Sequence, residues 1–346
     1  MVLDAGSGKG MKRHYCTYFD HHYLNRGLAL YRSLSRYSSE FHLYVLCMDS
    51  ATCEILSRMA LPDMTTIPLE DLETHDPELL AAKHTRSVVE YYFTCSPLLP
   101  LLVLERFREI DLLTYLDSDL FFFSDPAPLF EELANNSIAI IGHRFPPRLR
   151  DNHERRYGVF NVGWLTFRRD AVALDCLRWW RERCLEWCYD RHELGRFADQ
   201  KYLDEWPSRF AGVKVLEHKG ANLAPWNVEN YMIRDSGSNI SVDDQTLICF
   251  HFQGLKKVMS WVYNPNFQMY GLEASATPDV IMRRIFRPYI TTLVDVSKEL
   301  SKYPYPVSCS SSGIRNDGKS SIYARMRRLA SVAAGFVKKR YFLIRS

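Results

Sequence analysis

Apolar and polar positions along this chain alternate between short continuous runs and longer stretches of helical period. Residues 13–20 (RHYCTYFD) read as a strand leaving into a loop, and residues 21–38 carry Leu24, Leu28, Tyr31 and Leu34 at helical spacing. Residues 41–49 (FHLYVLCMD) form an unbroken apolar run, as in a strand buried on both faces. The next segment, 50–60, predicts a helix capped by Ser50 with Glu54 near the capping-box position, and residues 64–71 predict a third strand. Past a charged loop, residues 88–107 are apolar enough for a pair of helices laid against the sheet, and 111–119 (DLLTYLDSD) is the next strand. A helix over 124–133, strands over 137–145 and 159–169, a helix over 170–191, a strand starting at 213 and a last strand over 245–254 complete the pattern. Strands alternating with helices imply βαβ units around a largely parallel sheet, an α/β fold.

That pattern gives meaning to TYLDSDLFFFSD, residues 114–125. In open α/β sheets ligands bind outside the carboxyl ends of the strands, so Asp117 and Asp119 stand on the ligand-binding edge. Taken as strand positions i and i+2 they share a face, and two carboxylates held together call for a cation between them. A hard divalent ion fits: Mg2+ and Mn2+ prefer oxygen ligands, and Mg2+ is often held by one or two carboxylates plus substrate phosphates. The plainer alternative has one aspartate capping a turn and the other solvated.

Composition narrows the class. A chain of 346 residues suffices for a large core with an appendage, and 47% hydrophobic with 25% charged residues is globular rather than disordered. A net charge of +3 is too small to argue for a nucleic-acid partner. The 9 scattered cysteines form no CxxC pair and read as reduced thiols packed as small hydrophobes; Cys184 and Cys188 share a helical face but lack the further ligands of a zinc site. The opening MVLDAGSGKGMKRHYCTYFD lacks the apolar core of a signal peptide, and no stretch reaches the roughly 18 uncharged apolar residues of a membrane span. Both features point to a soluble protein on the cytoplasmic side.

The segment LLTYLDSDLFFFSDPAPLFEEL resembles the apolar strand, DxD motif and following helix of the nucleotide-diphospho-sugar transferases, glycosyltransferases of the GT-A fold. The resemblance continues in order over roughly residues 13–260, through HYCTYFDHHYLNRGLALYRSL, GVFNVGWLTFRRD, FADQKYLDEWP and FHFQGLKK, the last similar to the late His-x-x-Gly-x-x-Lys element of the family 8 enzymes. TRSVVEYYFTCSP, RFPPR, DQKYLDEWP and KGANLAPWN look like a group of bacterial glycosyltransferase-like proteins. Two features depart from family 8: Val258 and Met259 stand where Pro-Trp usually follows the late lysine, and Lys201 replaces a second Asp. The resemblance implies a Rossmann-like, mixed but mostly parallel sheet flanked by helices, and transfer of a sugar from a nucleotide-diphospho-sugar, UDP-linked by analogy, to a glycan, lipid-linked or cell-envelope acceptor.

It also implies roles. Asp117 would contact ribose or metal, and Asp119 and His251 would ligate Mn2+ or Mg2+ bridging the diphosphate; a packed strand-end histidine is the alternative for His251. Gly254 and Lys257 would approach the diphosphate, with Lys256 an alternative to Lys257. Thr17, Tyr18 and Asp20 would surround base and ribose, unless Tyr18 is core. Asn161 would bind donor sugar or acceptor, unless it is a turn residue. Asp199 and Gln200 are the candidates beside the anomeric carbon: Asp199, Asp204 or Glu205 as the base of an inverting enzyme, or Gln200 as the stabiliser in a retaining one. Trp226 either stacks an acceptor sugar or belongs to the core. Two rivals share the Asp-x-Asp. A haloacid-dehalogenase-type phosphatase places it near the chain start and usually continues to Thr or Val, whereas Leu120 and Phe121 follow here. A nucleotide-sugar-binding module without turnover would carry the same residues.

The domain expectation is a disordered leader over 1–12, a transferase domain over 13–270 and a helical, basic C-terminal extension over 271–346. Residues 308–321 read as a linker. Beyond it Met326, Leu329, Val332 and Phe336 share a helical face among arginines and lysines, which suits either peripheral contact with the inner face of the cytoplasmic membrane or packing on the catalytic domain.

Overall fold

The computed structural model describes residues 12–38, 40–259, 262–272, 278–303 and 342–343. Its first half alternates strand and helix: β1 (Arg13–Phe19), α1 (Leu24–Tyr37), β2 (Phe41–Cys47), α2 (Ser50–Met59), β3 (Met64–Pro68), α3 (Leu69–His75), α4 (Pro77–Ala82), α5 (Val88–Cys95), α6 (Leu98–Arg106) and β4 (Leu112–Leu116). The chain continues through β5 (Leu120–Phe122), α7 (Ala127–Leu133), β6 (Ile138–Gly142), α8 (Pro147–Tyr157), β7 (Phe160–Arg168), α9 (Ala171–Glu186), α10 (Trp206–Arg209) and β8 (Val213–Leu216). Seven of these strands form one sheet in the order β3-β2-β1-β4-β7-β6-β8. All run one way except β7, which is antiparallel to both β4 and β6.

Alternation along the strands builds a core on each face. Tyr15, Leu43 and Val45 point to the side covered by α1, α2 and α7, whereas Cys16, Tyr44 and Leu46 point to the side covered by α6 and α9. Both faces being covered, β2 must be apolar throughout, which is why its sequence shows no alternation. Helix α6 is buried from Leu98 to Leu104. No single helix among the described residues is long and apolar enough to cross a membrane; α5 and α6 pass that test together but are bent by 41° at their junction.

The remaining elements are smaller. β9 (Ile233–Asp235), β10 (Ile240–Val242) and β11 (Gln245–Thr246) form an antiparallel sheet, β12 (Cys249–His251) pairs with β5, and β13 (Lys256–Met259) pairs with β14 (Val262–Asn264). Helix α11 (Arg287–Leu300) lies on α1: Val296 and Leu300 join the cluster that holds Leu24 and Leu28, and Arg32 is paired with Glu299.

Several sequence expectations are corrected. The cap of α2 is Asp49, whose side chain accepts from the Thr52 N–H; a carboxylate one residue earlier does what Ser50 was expected to do. Residues 69–82, expected as a strand end and a charged loop, are the helices α3 and α4. Strand β4 stops at Leu116, and the Leu120 N–H closes a turn on the Asp117 carbonyl at 3.1 Å. Asp117 and Asp119 therefore sit in a turn and are not same-face neighbours on a strand. The expected last strand breaks into β11 and β12. Residues 1–11 and the basic tail with Met326, Leu329, Val332 and Phe336 lie outside the described residues.

Candidate functional site

The turn after β4 and the short strand β5 carry the acidic pair to a second backbone. Strand β5 pairs antiparallel with β12, with Leu120 opposite His251, and the Phe252 N–H donates to the Asp119 carbonyl at 3.0 Å. This pairing brings His251 against both carboxylates: Nε2 lies 3.1 Å from Asp119 Oδ1 and 3.6 Å from Asp117 Oδ2. One ligand atom from each of Asp117, Asp119 and His251 falls within 4.8 Å of the others. Two carboxylate oxygens and one imidazole nitrogen suit Mn2+ or Mg2+ by donor type.

The electrostatics follow from burial around this cluster. Burial raises the Asp117 pKa, with Asp119 adding to it and His251 opposing. Burial also works against charge on Asp119, but the His251 imidazole and the Arg26 guanidinium outweigh it and its pKa is lowered. For His251 burial opposes the imidazolium, yet Asp119 and Asp117 raise its pKa. Both carboxylates thus favour the charged form of the imidazole between them.

Gly163 makes room for this arrangement. A Cβ there would lie 2.6 Å from Asn161 Oδ1 and 2.9 Å from His251 Nδ1, while the Gly163 carbonyl accepts the Asp117 N–H at 3.1 Å. Gly163→Ala is accordingly expected to displace His251 and to weaken Mn2+ binding at least about 10-fold, the scale set by disturbing the groups around a metal ligand. Isothermal titration with Mn2+ reads this directly, and an unchanged affinity would refute it.

A polar layer surrounds these three residues. His251 Nδ1 meets Asn222 Oδ1 at 3.1 Å, Asn222 Nδ2 donates to Asn161 Oδ1 at 3.1 Å, and Asn161 Nδ2 donates to Gln200 Oε1 at 3.0 Å. On the other side Tyr115 donates its hydroxyl to Asp117 Oδ1 at 3.0 Å. The Tyr18 hydroxyl lies 3.1 Å from Ser96 Oγ, and its ring packs on that of Tyr115 with centroids 5.9 Å apart. Asp199 is buried with its pKa pushed up to about 7, chiefly by desolvation, with Ser96 opposing and the Asp117 charge adding to the rise.

The structure thus brings Asn161, Asp199 and Gln200 to the edge where Asp117, Asp119 and His251 converge. Gln200 is tied on both ends, its amide donating to the Tyr157 carbonyl at 2.9 Å. At the end of β1, Thr17 is buried with its hydroxyl lacking a protein partner, and Asp20 accepts from the His22 and Tyr23 N–H groups and the Tyr92 hydroxyl. Gly254 has φ +76, in the left-handed region, and a Cβ would lie 2.5 Å from Asn266 Nδ2. Lys257 is half-buried on β13 opposite Tyr263, and Lys256 is exposed. Asp204 is engaged elsewhere, bonded by Lys201 and the Val159 N–H, and Glu205 pairs with Arg209. Trp226 is core: it is 2% exposed, and its indole N–H donates to the His143 carbonyl. Sequence reasoning gave no role to Asn222, Ser96 or Tyr115. Tyr115 stands two positions before Asp117, but nothing local marks the other two. The described cysteines are free thiols.

No family model matches the chain. It is 33% identical to the uncharacterized protein YfnD of Bacillus subtilis (strain 168) over 282 residues, covering 81% of this chain and 88% of YfnD. It is also 33% identical to the uncharacterized protein YfnF of the same organism over 250 residues, covering 70% of this chain and 82% of YfnF. Among solved structures, the galactosyltransferase LgtC in complex with donor and acceptor sugar analogs superposes with a TM-score of 0.52 at 15% identity, covering 84% of this chain and 99% of LgtC. By sequence the chain belongs to the family of YfnD and YfnF, and its fold is that of the GT-A glycosyltransferases.

Proposed function

We propose that this protein is a metal-dependent glycosyltransferase that moves a sugar from a nucleotide-diphospho-sugar, a UDP-sugar by preference, to a glycan, lipid-linked or cell-envelope acceptor. The observation that carries it is the convergence of Asp117, Asp119 and His251 at the carboxyl end of the central strand of a GT-A fold. Mn2+ or Mg2+ held there would act as a Lewis acid on the departing nucleoside diphosphate. Thr17, Tyr18 and Asp20, at the end of β1, are the residues for the nucleoside. Gly254 lets backbone approach the diphosphate and Lys257 adds a point charge. Asn161, Asp199 and Gln200 hold the sugar. A carboxyl with its pKa near 7, as Asp199 has, can accept or donate a proton at neutral pH.

Incubation with Mn2+ and a panel of nucleotide sugars, with nucleoside diphosphate release as the readout, tests this reading. Release from at least one donor, abolished by a chelator, is expected. Tight UDP binding with no release from any donor would reduce the protein to a binding module.

A further inference from the structure

The side-chain amides around the site can be oriented because main-chain groups fix the polarity of Asn161 and Gln200, and Asn222 follows from Asn161. A backbone N–H only donates and a carbonyl only accepts. The Gly163 N–H points at one end of the Asn161 amide at 3.1 Å, so that end is oxygen. The Asn222 group facing this oxygen is then its NH2, and the opposite end of Asn222, 3.1 Å from His251, is its carbonyl. His251 must carry hydrogen on Nδ1, which leaves Nε2 turned toward Asp117 and Asp119. In the other direction, the NH2 of Asn161 faces Gln200, whose carbonyl also takes the Val162 N–H at 3.4 Å and whose amide meets the Tyr157 carbonyl. Every donor in this chain points the same way, from His251 to Tyr157. The middle link, Asn222, is fully buried and held by its own backbone, its N–H on Cys249 Sγ and its carbonyl on Asn227. Its φ of +50 is one asparagine tolerates.

We propose that Asn222 is a positioning residue that carries the polarity fixed at Asn161 across to His251, holding hydrogen on Nδ1 and so Nε2 toward the metal, and that couples the metal ligand to Asn161 and Gln200 in one directed chain. The inference rests on the proposed metal and donor site, and it makes the two halves of that site separable by substitution. In Asn222→Asp the carboxylate still accepts from His251 Nδ1, but its other oxygen faces the Asn161 oxygen. Asn161 either stays on Gly163 against that repulsion or turns over, losing Gly163 and presenting oxygen to the Gln200 oxygen. In Asn222→Leu, His251 loses its acceptor outright.

The test measures Mn2+-dependent UDP binding and turnover of the UDP-sugar that the wild type releases. In Asn222→Asp, binding stays within about 3-fold while turnover falls about 10- to 100-fold, the scale of losing an outer partner. In Asn222→Leu, binding itself falls about 10- to 100-fold. An Asn222→Asp protein with wild-type turnover, or one that loses binding as deeply as Asn222→Leu, overturns the proposal. Nitrogen-15 shifts of His251 in the wild-type protein give a reading that needs neither variant nor donor. Hydrogen on Nδ1 is expected, with or without a second hydrogen on Nε2, and an Nδ1 without hydrogen refutes the chain. Absence of Mn2+-dependent UDP binding in the wild type would remove the proposed function, and the state of Nδ1 would still decide the inference.

Discussion

Asp119→Ala is expected to eliminate the proposed Mn2+-dependent UDP binding and to leave the chain folded. Its Oδ1 lies 3.1 Å from His251 Nε2, and the His251 and Arg26 cations keep it ionised despite burial. It is therefore the carboxylate of the pair already charged and aimed for a divalent ion. Losing an outer partner of a metal ligand costs about 10- to 100-fold in affinity, so losing the ligand itself should exceed about 100-fold. The fold should tolerate the change because His251 keeps Asp117, 3.6 Å from its Nε2, and Asn222 as partners. Calorimetric titration of UDP in Mn2+ and thermal melts with and without ligand separate the two effects. The wild type gains stability from ligand by mass action and the variant does not. A variant that binds as the wild type does would refute the site.

Asp199→Asn makes the metal-free protein more stable, and by an amount that depends on pH. The carboxyl has an ordinary value of 3.8 and is pushed to about 7 by burial. Below pH 3.8 the folded and unfolded chains both hold this proton. Between 3.8 and about 7 the unfolded chain has released it and the folded chain has not, so wild-type stability falls as pH rises through that window and levels off above it. The whole displacement corresponds to about 4 kcal/mol. Asparagine has no proton to lose, so the stability gap between variant and wild type should widen by up to about 4 kcal/mol from pH 4 to pH 8. Urea unfolding at the two pH values measures it. A gap that does not change with pH would show that Asp199 ionises as freely in the folded chain as in the unfolded one.

Much of the frame was legible because burial on both faces writes itself into composition. The run FHLYVLC could only be an interior strand, and it is β2. Helix α8 escaped notice for the opposite reason: PRLRDNHERRY buries none of its side chains, so no apolar stripe marks it. The acidic pair stood out in sequence, but its presentation did not. Whether Asp117 and Asp119 lie on a strand or in a turn depends on where β5 finds its partner, and that partner, β12, is remote in sequence. His251 was visible only through family resemblance, since a single histidine at a strand end has no periodic signature. Asn222 and Ser96 matter through side-chain bonds to residues far along the chain, as in Tyr18 to Ser96 and Asn222 to Asn161. Such partnerships leave no trace in local spacing.

The pairing of β5 with β12 has a consequence for assembly. Until Leu120 and His251 sit across from one another, the acids and the imidazole are held apart by a long closed loop whose ends must first be brought together. Metal added to a refolding chain should leave the folding rate unaltered and slow only unfolding, since the ion finds its ligands after the slow, non-local contacts have formed.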